Sequence, residues 1–406
     1  MHTAPCPQRP ATRPKLEVAD IVRAHGEALR QAHILTPQQH QVLRDIARCR
    51  TEALGGHMDV CIDCGHEQPS YNSCRNRHCP KCQSLAQARW IAGRAQRVLP
   101  VHYFHVVFTL PAELRPIAKA APELVYDILL SCASQTLMEL GRDPERLGAQ
   151  LGVTTVLHTW TRDLTYHPHA HCIVTGGGLS EDGSRWVQAR PTFLFHVKVM
   201  GKLFRGKFLD ALAQAHKAGR LGLGDRCICD ELSFRRLCNK LKKVKWVAYC
   251  KRPMGGAEQV VRYLGAYTHR VGISNYRLVS MDQRGVTFRT KDGNTATVSG
   301  VEFLHRFVQH VLPPGFVKIR HYGLMASSHA TSRLEQARSL LGAKRPELAP
   351  VVTDSSTAGD SDDWEVLLLK LTGQDMRICP VCRQRTMVRH PLPPPCSRGP
   401  PVQQAA

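Results

Sequence analysis

The sequence predicts an α+β fold built on a central antiparallel sheet. Two observations carry that expectation. Residues 101–110 (VHYFHVVFTL), 153–160 and 170–175 are runs rich in β-branched and aromatic side chains, as pleated, half-buried strands require. Helical patterns lie before, between and after these runs, and the connection between the second and third is short enough for a hairpin.

The elements follow in order. Residues 1 to about 60 are polar and helical in pattern, with Thr36-Pro37 suited to open a helix because Pro has no N–H to leave unpaired. Residues 61–82 are dominated by Cys and His. The strand at 101–110 is closed by Pro111, and a helix is expected over 122–140. Gly176-Gly177-Gly178 should end the run that begins at Ala170. Helical patterns return at 192–217 and 231–249. The breaker Met254-Gly255-Gly256 precedes a short helix at 257–269, and 271–298 alternates like a meander with Asp292-Gly293 as a turn. An acidic polar stretch at 345–363 reads as a linker, and the Pro-rich last fifteen residues read as disordered. Three units result: 1–100 helical and Cys-rich, 101–340 containing the sheet, and 341–406 a linker and tail with one C-x-x-C pair.

Composition limits the possible functions. The chain has 406 residues with 55 Lys+Arg against 33 Asp+Glu, a formal net charge of +22 that points to a polyanion, most simply nucleic acid. The first thirty residues lack an apolar signal core, and no eighteen-residue apolar run occurs, so neither secretion nor a membrane partner is expected. Sixteen cysteines, several in C-x-x-C pairs, read as metal thiolates in a reducing compartment rather than a disulfide framework.

In CIDCGHEQPSYNSCRNRHCPKC the pairs Cys61/Cys64 and Cys79/Cys82 are two knuckles fourteen residues apart. Tetrahedral zinc needs four such donors, so these four are the expected structural zinc ligands; scattered buried cysteines are the plain alternative. Cys74, His66 and His78 lie in the intervening loop and could replace a ligand or hold a second ion. Arg75, Arg77 and Lys81 would offer positive charge to phosphates. Cys379 and Cys382 form a further knuckle without an evident partner pair; Cys396 and His390 are the weak candidates.

Tyr166 to Val174 contains His169-Ala170-His171. Alternation on a strand puts His169 and His171 on one face and turns Ala170 and Cys172 into the core. Two adjacent imidazoles are two thirds of a facial metal site, and His158 on the preceding strand could complete it across a hairpin. A chain with 21 histidines can also carry such a pair for structural reasons. Hydrolytic barrels use HxH strands as well, but eight βα units do not fit this pattern.

In GGAEQVVRYLGAYTHR, Tyr263 and Tyr267 are four apart and share a helix face, with Gln259 one turn earlier as a possible ligand or phosphate contact. Such a pair usually packs in a core. Here Arg262, His269 and Arg270 surround it, which suits a face turned to a polyanion. A phenol becomes a useful nucleophile only where a metal and cations favour its phenolate. Gly201–Phe208 imitates a nucleotide loop, but Phe208 stands where magnesium needs Ser or Thr, so a basic helix or turn is expected. Residues 235–252 hold eight Lys/Arg and no acid, interleaved with Trp246 and Tyr249, which suits backbone tracking and base stacking.

Taken together, YNSCRNRHCPKC, HVVFTLP, LHTW, HPHAHCIVTGGGLS, FRGKF and GGAEQVVRYLGAYTHRVGISNYRL occur in the order that resembles the HUH-type rolling-circle transposases of insertion-sequence family ninety-one. The resemblance spans about residues 55–330. It implies an HUH endonuclease core faced by a tyrosine helix and preceded by a zinc domain. It makes His169 and His171 the ligands of Mg²⁺ or Mn²⁺ and Tyr263 and Tyr267 the nucleophiles; the third ligand, His158 with Gln259 as its rival, is read from geometry and not from the resemblance. The implied partners are single-stranded DNA at transposon ends, a host helicase and the replication machinery, in a prokaryotic cytoplasm at the nucleoid. A replication initiator or relaxase of the same chemistry, or a non-catalytic zinc-finger regulator, are the alternatives.

Overall fold

Residues 14–221, 230–254, 259–260, 265, 272–329, 331–342, 369 and 375–394 are described by the structure, a computed structural model. The strands are β1 (Gly56–Cys61), β2 (Glu67–Tyr71), β3 (Tyr103–Thr109), β4 (Gln150–Trp160), β5 (Tyr166–Leu179), β6 (Trp186–Gln188), β7 (Val247–Met254), β8 (Leu278–Asp282), β9 (Gly285–Arg289), β10 (Thr295–Val298), β11 (Ile319–Gly323) and β12 (Met387–Leu392). The helices are α1 (Val18–Ala32), α2 (Pro37–Arg48), α3 (Gln83–Ala95), α4 (Arg115–Ala120), α5 (Pro122–Arg142), α6 (Val197–Lys217), α7 (Glu231–Lys243), α8 (Gly300–Val308) and α9 (Arg333–Leu340). The expected α+β class holds.

The central sheet runs β11-β4-β5-β3-β7, with β6 added to the end of β5, and every pairing is antiparallel. Strand alternation sorts its side chains onto two faces. Phe104, Val106 and Phe108 of β3, Leu157 of β4, and Ala170, Cys172 and Val174 of β5 are buried in one core with α5 and α6. Phe204 and Phe208, four apart on α6, meet Trp246, with ring centroids 5.5 and 5.4 Å from it. The opposite face carries the histidines. Its far end is closed by Tyr103, Ile173, Val260, Leu324, Met325 and Leu334.

A second core forms where α1 and α2 pack with the β8–β9–β10 meander and α8; Val42, Leu43, Val286, Phe288, Phe303 and Phe307 are buried there. The expected start of α2 is present: the Thr36 hydroxyl accepts from Gln39 N–H at 3.3 Å, and the Gln39 side chain accepts from Thr36 N–H at 2.9 Å. Asp292 and Gly293, at φ 56° and 82°, make the turn between β9 and β10. A third sheet, β12-β1-β2, joins the C-terminal segment to the N-terminal hairpin.

Several expectations need correction. The stretch 231–249 is not one helix: α7 stops at Lys243 and β7 follows, because from Val247 the chain alternates outward Val247, Tyr249 and Lys251 with inward Ala248 and Cys250. Trp246 is 8% exposed and donates to Leu241 O at 2.9 Å, so it is a core residue, not a stacking platform. The three glycines do not end β5, which continues to Leu179. Gly201–Phe208 lies inside α6, as the rejection of a nucleotide loop anticipates. The acidic stretch and the end of the tail lie outside the described residues.

Phe204→Ala should empty the contact among Phe108, Phe208 and Trp246 and lower stability by about 3–5 kcal/mol. Urea unfolding followed by circular dichroism reads this loss; a change below about 1 kcal/mol would contradict the packing described.

Candidate metal centres and active site

The β4–β5 register sets His158 directly across from His169 and Val156 across from His171. Paired residues in an antiparallel ladder point to the same side, so His158, His169 and His171 converge. Their ligand nitrogens lie within 4.8 Å of one another. The third imidazole is thus brought to the pair from the neighbouring strand. Gln259, the other candidate, is solvent-exposed.

Hydrogen bonds outside the trio fix its rings. His169 Nδ1 donates to His167 O at 2.7 Å, so in the neutral ring the lone pair sits on Nε2. His171 Nδ1 lies 2.7 Å from His105 Nε2, and the two rings stack at 5.0 Å. His158 stacks on Trp160 at 4.7 Å. Burial holds His169 neutral, down to about 4, and burial with Lys251 and His169 nearby takes His105 to about 3. Oriented imidazoles converging on one point can hold a divalent cation. His105 is missing from the sequence reading. Its signal was the alternation of β3, which puts it on the same face as Val107, the residue opposite His171.

Tyr263, Tyr267, Arg262 and Arg270 lie outside the described residues. Their segment is represented by Gln259, Val260 and Gly265, all helical. Val260 is fully buried in the cluster that holds Ile173, two residues beyond His171 on the same side of β5. Gly265 O accepts from Gln87 of α3 at 2.6 Å, and a Cβ at Gly265 would collide with Ile91.

Among the described residues two four-cysteine clusters form, not the one expected. Cys79 and Cys82 join Cys49 and Cys74; Cys61 and Cys64 join Cys379 and Cys382. β2 lies between the two N-terminal knuckles, and Cys61 and Cys64 fall in a different group from Cys79 and Cys82. The last knuckle has its partner pair after all, and neither His390 nor His66 belongs to a cluster. Cys49 escaped notice because it stands alone, at the C-terminal cap of α2. In the first cluster Cys82 Sγ lies 3.2 Å from Cys49 Sγ and 3.6 Å from Cys74 Sγ. Hydrogen bonds from Cys49, Cys74 and Cys79 push the Cys82 thiol far below its usual range. Four thiols so arranged fit a structural zinc.

Two of the cations expected at phosphates are otherwise engaged. Lys81 pairs with Glu17, and Arg77 donates to Phe316 O at 2.7 Å. Arg75 is exposed. On α7 and β7, Arg235, Arg236, Lys240, Lys242, Lys243, Lys245 and Lys251 are all exposed, and Tyr249 is 51% exposed. Val107 pairs with both His171 and Tyr249, so Tyr249 and Lys251 share the histidine face.

The family described as putative transposase matches residues 152–333, and the transposase zinc-binding domain matches residues 21–110. A putative transposase of Sinorhizobium fredii is 44% identical over 92% of this chain and 94% of its own length. The chain belongs to the IS91 transposase family. The transposase of insertion sequence element IS801 from Pseudomonas savastanoi pv. phaseolicola is 30% identical, covering 69% of this chain and 68% of the relative. No solved structure matches this transposase. Both matched regions contain a group of side chains that could hold a metal ion: the first cysteine set in the zinc-binding domain, the histidine trio in the other. Among the described residues no helix is long and apolar enough to cross a membrane.

Replacing His105 by Ala should weaken Mn²⁺ binding at the histidine trio about 10–100-fold, because His171 loses its orienting partner. Calorimetric titration measures it, with His105→Gln expected to recover part of the loss; equal affinities in all three proteins would dismiss the orienting role.

Proposed function

We propose that this transposase nicks single-stranded DNA at transposon ends and joins it again by tyrosine attack, driving rolling-circle transposition. The observation that carries the reading is the convergence of His158, His169 and His171 on a sheet face whose apolar end is closed by Val260, three residues before Tyr263. Helical spacing gives Tyr263 and Tyr267 a common face, so both would address the same region of the sheet.

His169 and His171, with His158 as third donor, would hold Mg²⁺ or Mn²⁺, which when bound supplies Lewis-acid polarisation of a phosphate. The other work belongs to the chain. The phenolic oxygen of one tyrosine attacks the phosphorus, the bond to the 3′-oxygen breaks, and that oxygen leaves as a 3′-hydroxyl after taking a proton. The product is a 5′-phosphotyrosine. Because one phosphodiester replaces another, the step consumes no nucleotide, which agrees with Gly201–Phe208 being plain helix. A second tyrosine on the same face lets one DNA end be received while another is still held. Exposed cations on α7 and β7 neutralise the backbone, and Tyr249, on the histidine face, offers a ring for a base to stack on. Arg75, Arg262 and Arg270 are further contacts of this reading, and the zinc-bearing unit recognises the ends. Strand separation and refilling fall to a host helicase and the replication machinery at the nucleoid.

The test incubates the transposase with end-derived single strands and manganese and looks for a covalent protein–DNA band. The band should vanish in the Tyr263→Phe/Tyr267→Phe double variant and fall at least tenfold in His158→Ala. A folded, zinc-loaded, DNA-binding protein that never forms the band would instead be a zinc-finger regulator.

A further inference from the structure

We infer that Cys61, Cys64, Cys379 and Cys382 bind a second zinc ion, which fastens residues 375–394 to the β1–β2 hairpin and makes one zinc ribbon from two remote parts of the chain. The matched zinc-binding domain covers residues 21–110, so it includes only half of these donors.

The two knuckles are the same structure built twice. Cys61 N–H donates to His66 O at 2.9 Å and Gly65 N–H donates back to Cys61 O at 2.9 Å. In the C-terminal knuckle Cys379 N–H donates to Gln384 O at 2.8 Å and Arg383 N–H donates to Cys379 O at 3.0 Å. The fifth position is left-handed in both, Gly65 at φ 71° and Arg383 at φ 64°. Glycine adopts that conformation freely, whereas arginine does so only where its surroundings impose it. Val381 N–H also points at Cys379 Sγ, 3.4 Å away. Two sequences with different residues between their cysteines, CIDCGH and CPVCRQ, thus reach one sulfur-presenting turn.

The sulfur spacing identifies the chemistry. Cys61 Sγ lies 3.5 Å from Cys382 Sγ, and Cys64 Sγ lies 3.6 Å from Cys379 Sγ. A disulfide would require about 2.05 Å. Four thiolates at about 2.3 Å from a tetrahedral ion stand roughly 3.8 Å apart, close to what is seen. Each knuckle alone offers two donors, and a closed tetrahedral site needs four. The rest of the interface keeps them together: β12 pairs with β1 from Gly56↔Leu392 to Cys61↔Met387, and Arg389 forks onto buried Asp59 at 2.7 and 3.1 Å. On binding, the thiols release their protons to solvent and the ion takes their place as the bridge.

The inference is independent of the nicking chemistry, and so is its test. Elemental analysis of the full-length protein should find about two zinc ions per chain. The Cys379→Ser/Cys382→Ser variant should lose one and keep the other, which also shows that it remains folded; Cys49→Ser/Cys74→Ser should show the converse. A protease site placed between residues 351 and 360 gives a second measurement. After cleavage the C-terminal piece should co-elute with the body in zinc and separate after chelation, or in the Cys61→Ser/Cys64→Ser background. One zinc per wild-type chain, or two in Cys379→Ser/Cys382→Ser, would overturn the inference. So would a piece that stays bound regardless of metal.

Discussion

The antiparallel pairing of β4 with β5 is the constraint on which the functional geometry depends. One residue of slip would turn every side chain of β5 to the other face, sending His169 and His171 into the α5–α6 core and Ala170 and Cys172 towards solvent. The core side prevents it. Ala170, Cys172 and Val174 are buried in that core, where an unpaired imidazole would lose its hydration, and Leu157 sits across from Ala170. The hydrophobic packing on one face therefore enforces the alignment of polar donors on the other. The small side chain between the two histidines follows from the same requirement.

Around that sheet the structure is arranged in layers of decreasing burial. Next to the trio stand the groups that orient it, His105 and the His167 carbonyl, both reached through strand geometry rather than loops. Farther out, β7 carries Tyr249 and Lys251 along the sheet edge, and α7 adds a stripe of cations that face water. Rigid donors sit in the interior and adaptable charges at the rim, an arrangement suited to a long, flexible polyanion. The N-terminal helices have a core of their own that is completed by residues 272–308, so the chain returns to its first part after building the sheet.

What was legible in the sequence is what local pattern controls. Period-two alternation gave β3, β4 and β5 and the shared face of the histidines; Thr36-Pro37 gave a helix start; Asp292-Gly293 gave a turn. The partnership of His158 with the pair was also readable, since a hairpin leaves few alternatives. What was not legible depends on contacts far apart along the chain. The cysteine grouping went astray because C-x-x-C spacing reports that a knuckle exists and not which knuckle it meets. Cys49 has no local signature at all. The helical pattern over 231–249 runs past the true end of α7 because the lysines there conceal a strand whose apolar side is only Ala248 and Cys250. The two tyrosines fall on residues that the structure does not describe, and the role proposed for them rests on helical spacing and family membership.

The pairing of β1 with β12 has a consequence for how the molecule comes into being. Cys61 and Cys382 are 321 residues apart, and synthesis at roughly 5–20 residues per second takes about 15–60 s to cover that distance. Throughout that interval the nascent hairpin offers an open edge, with Val60 and Cys61 waiting for a strand the ribosome has yet to make. Closing so long a loop costs entropy, but the cost grows only logarithmically with length, so waiting time rather than free energy is the main hazard. A premature stop would release a chain whose hairpin edge never closes, a ready target for proteolysis.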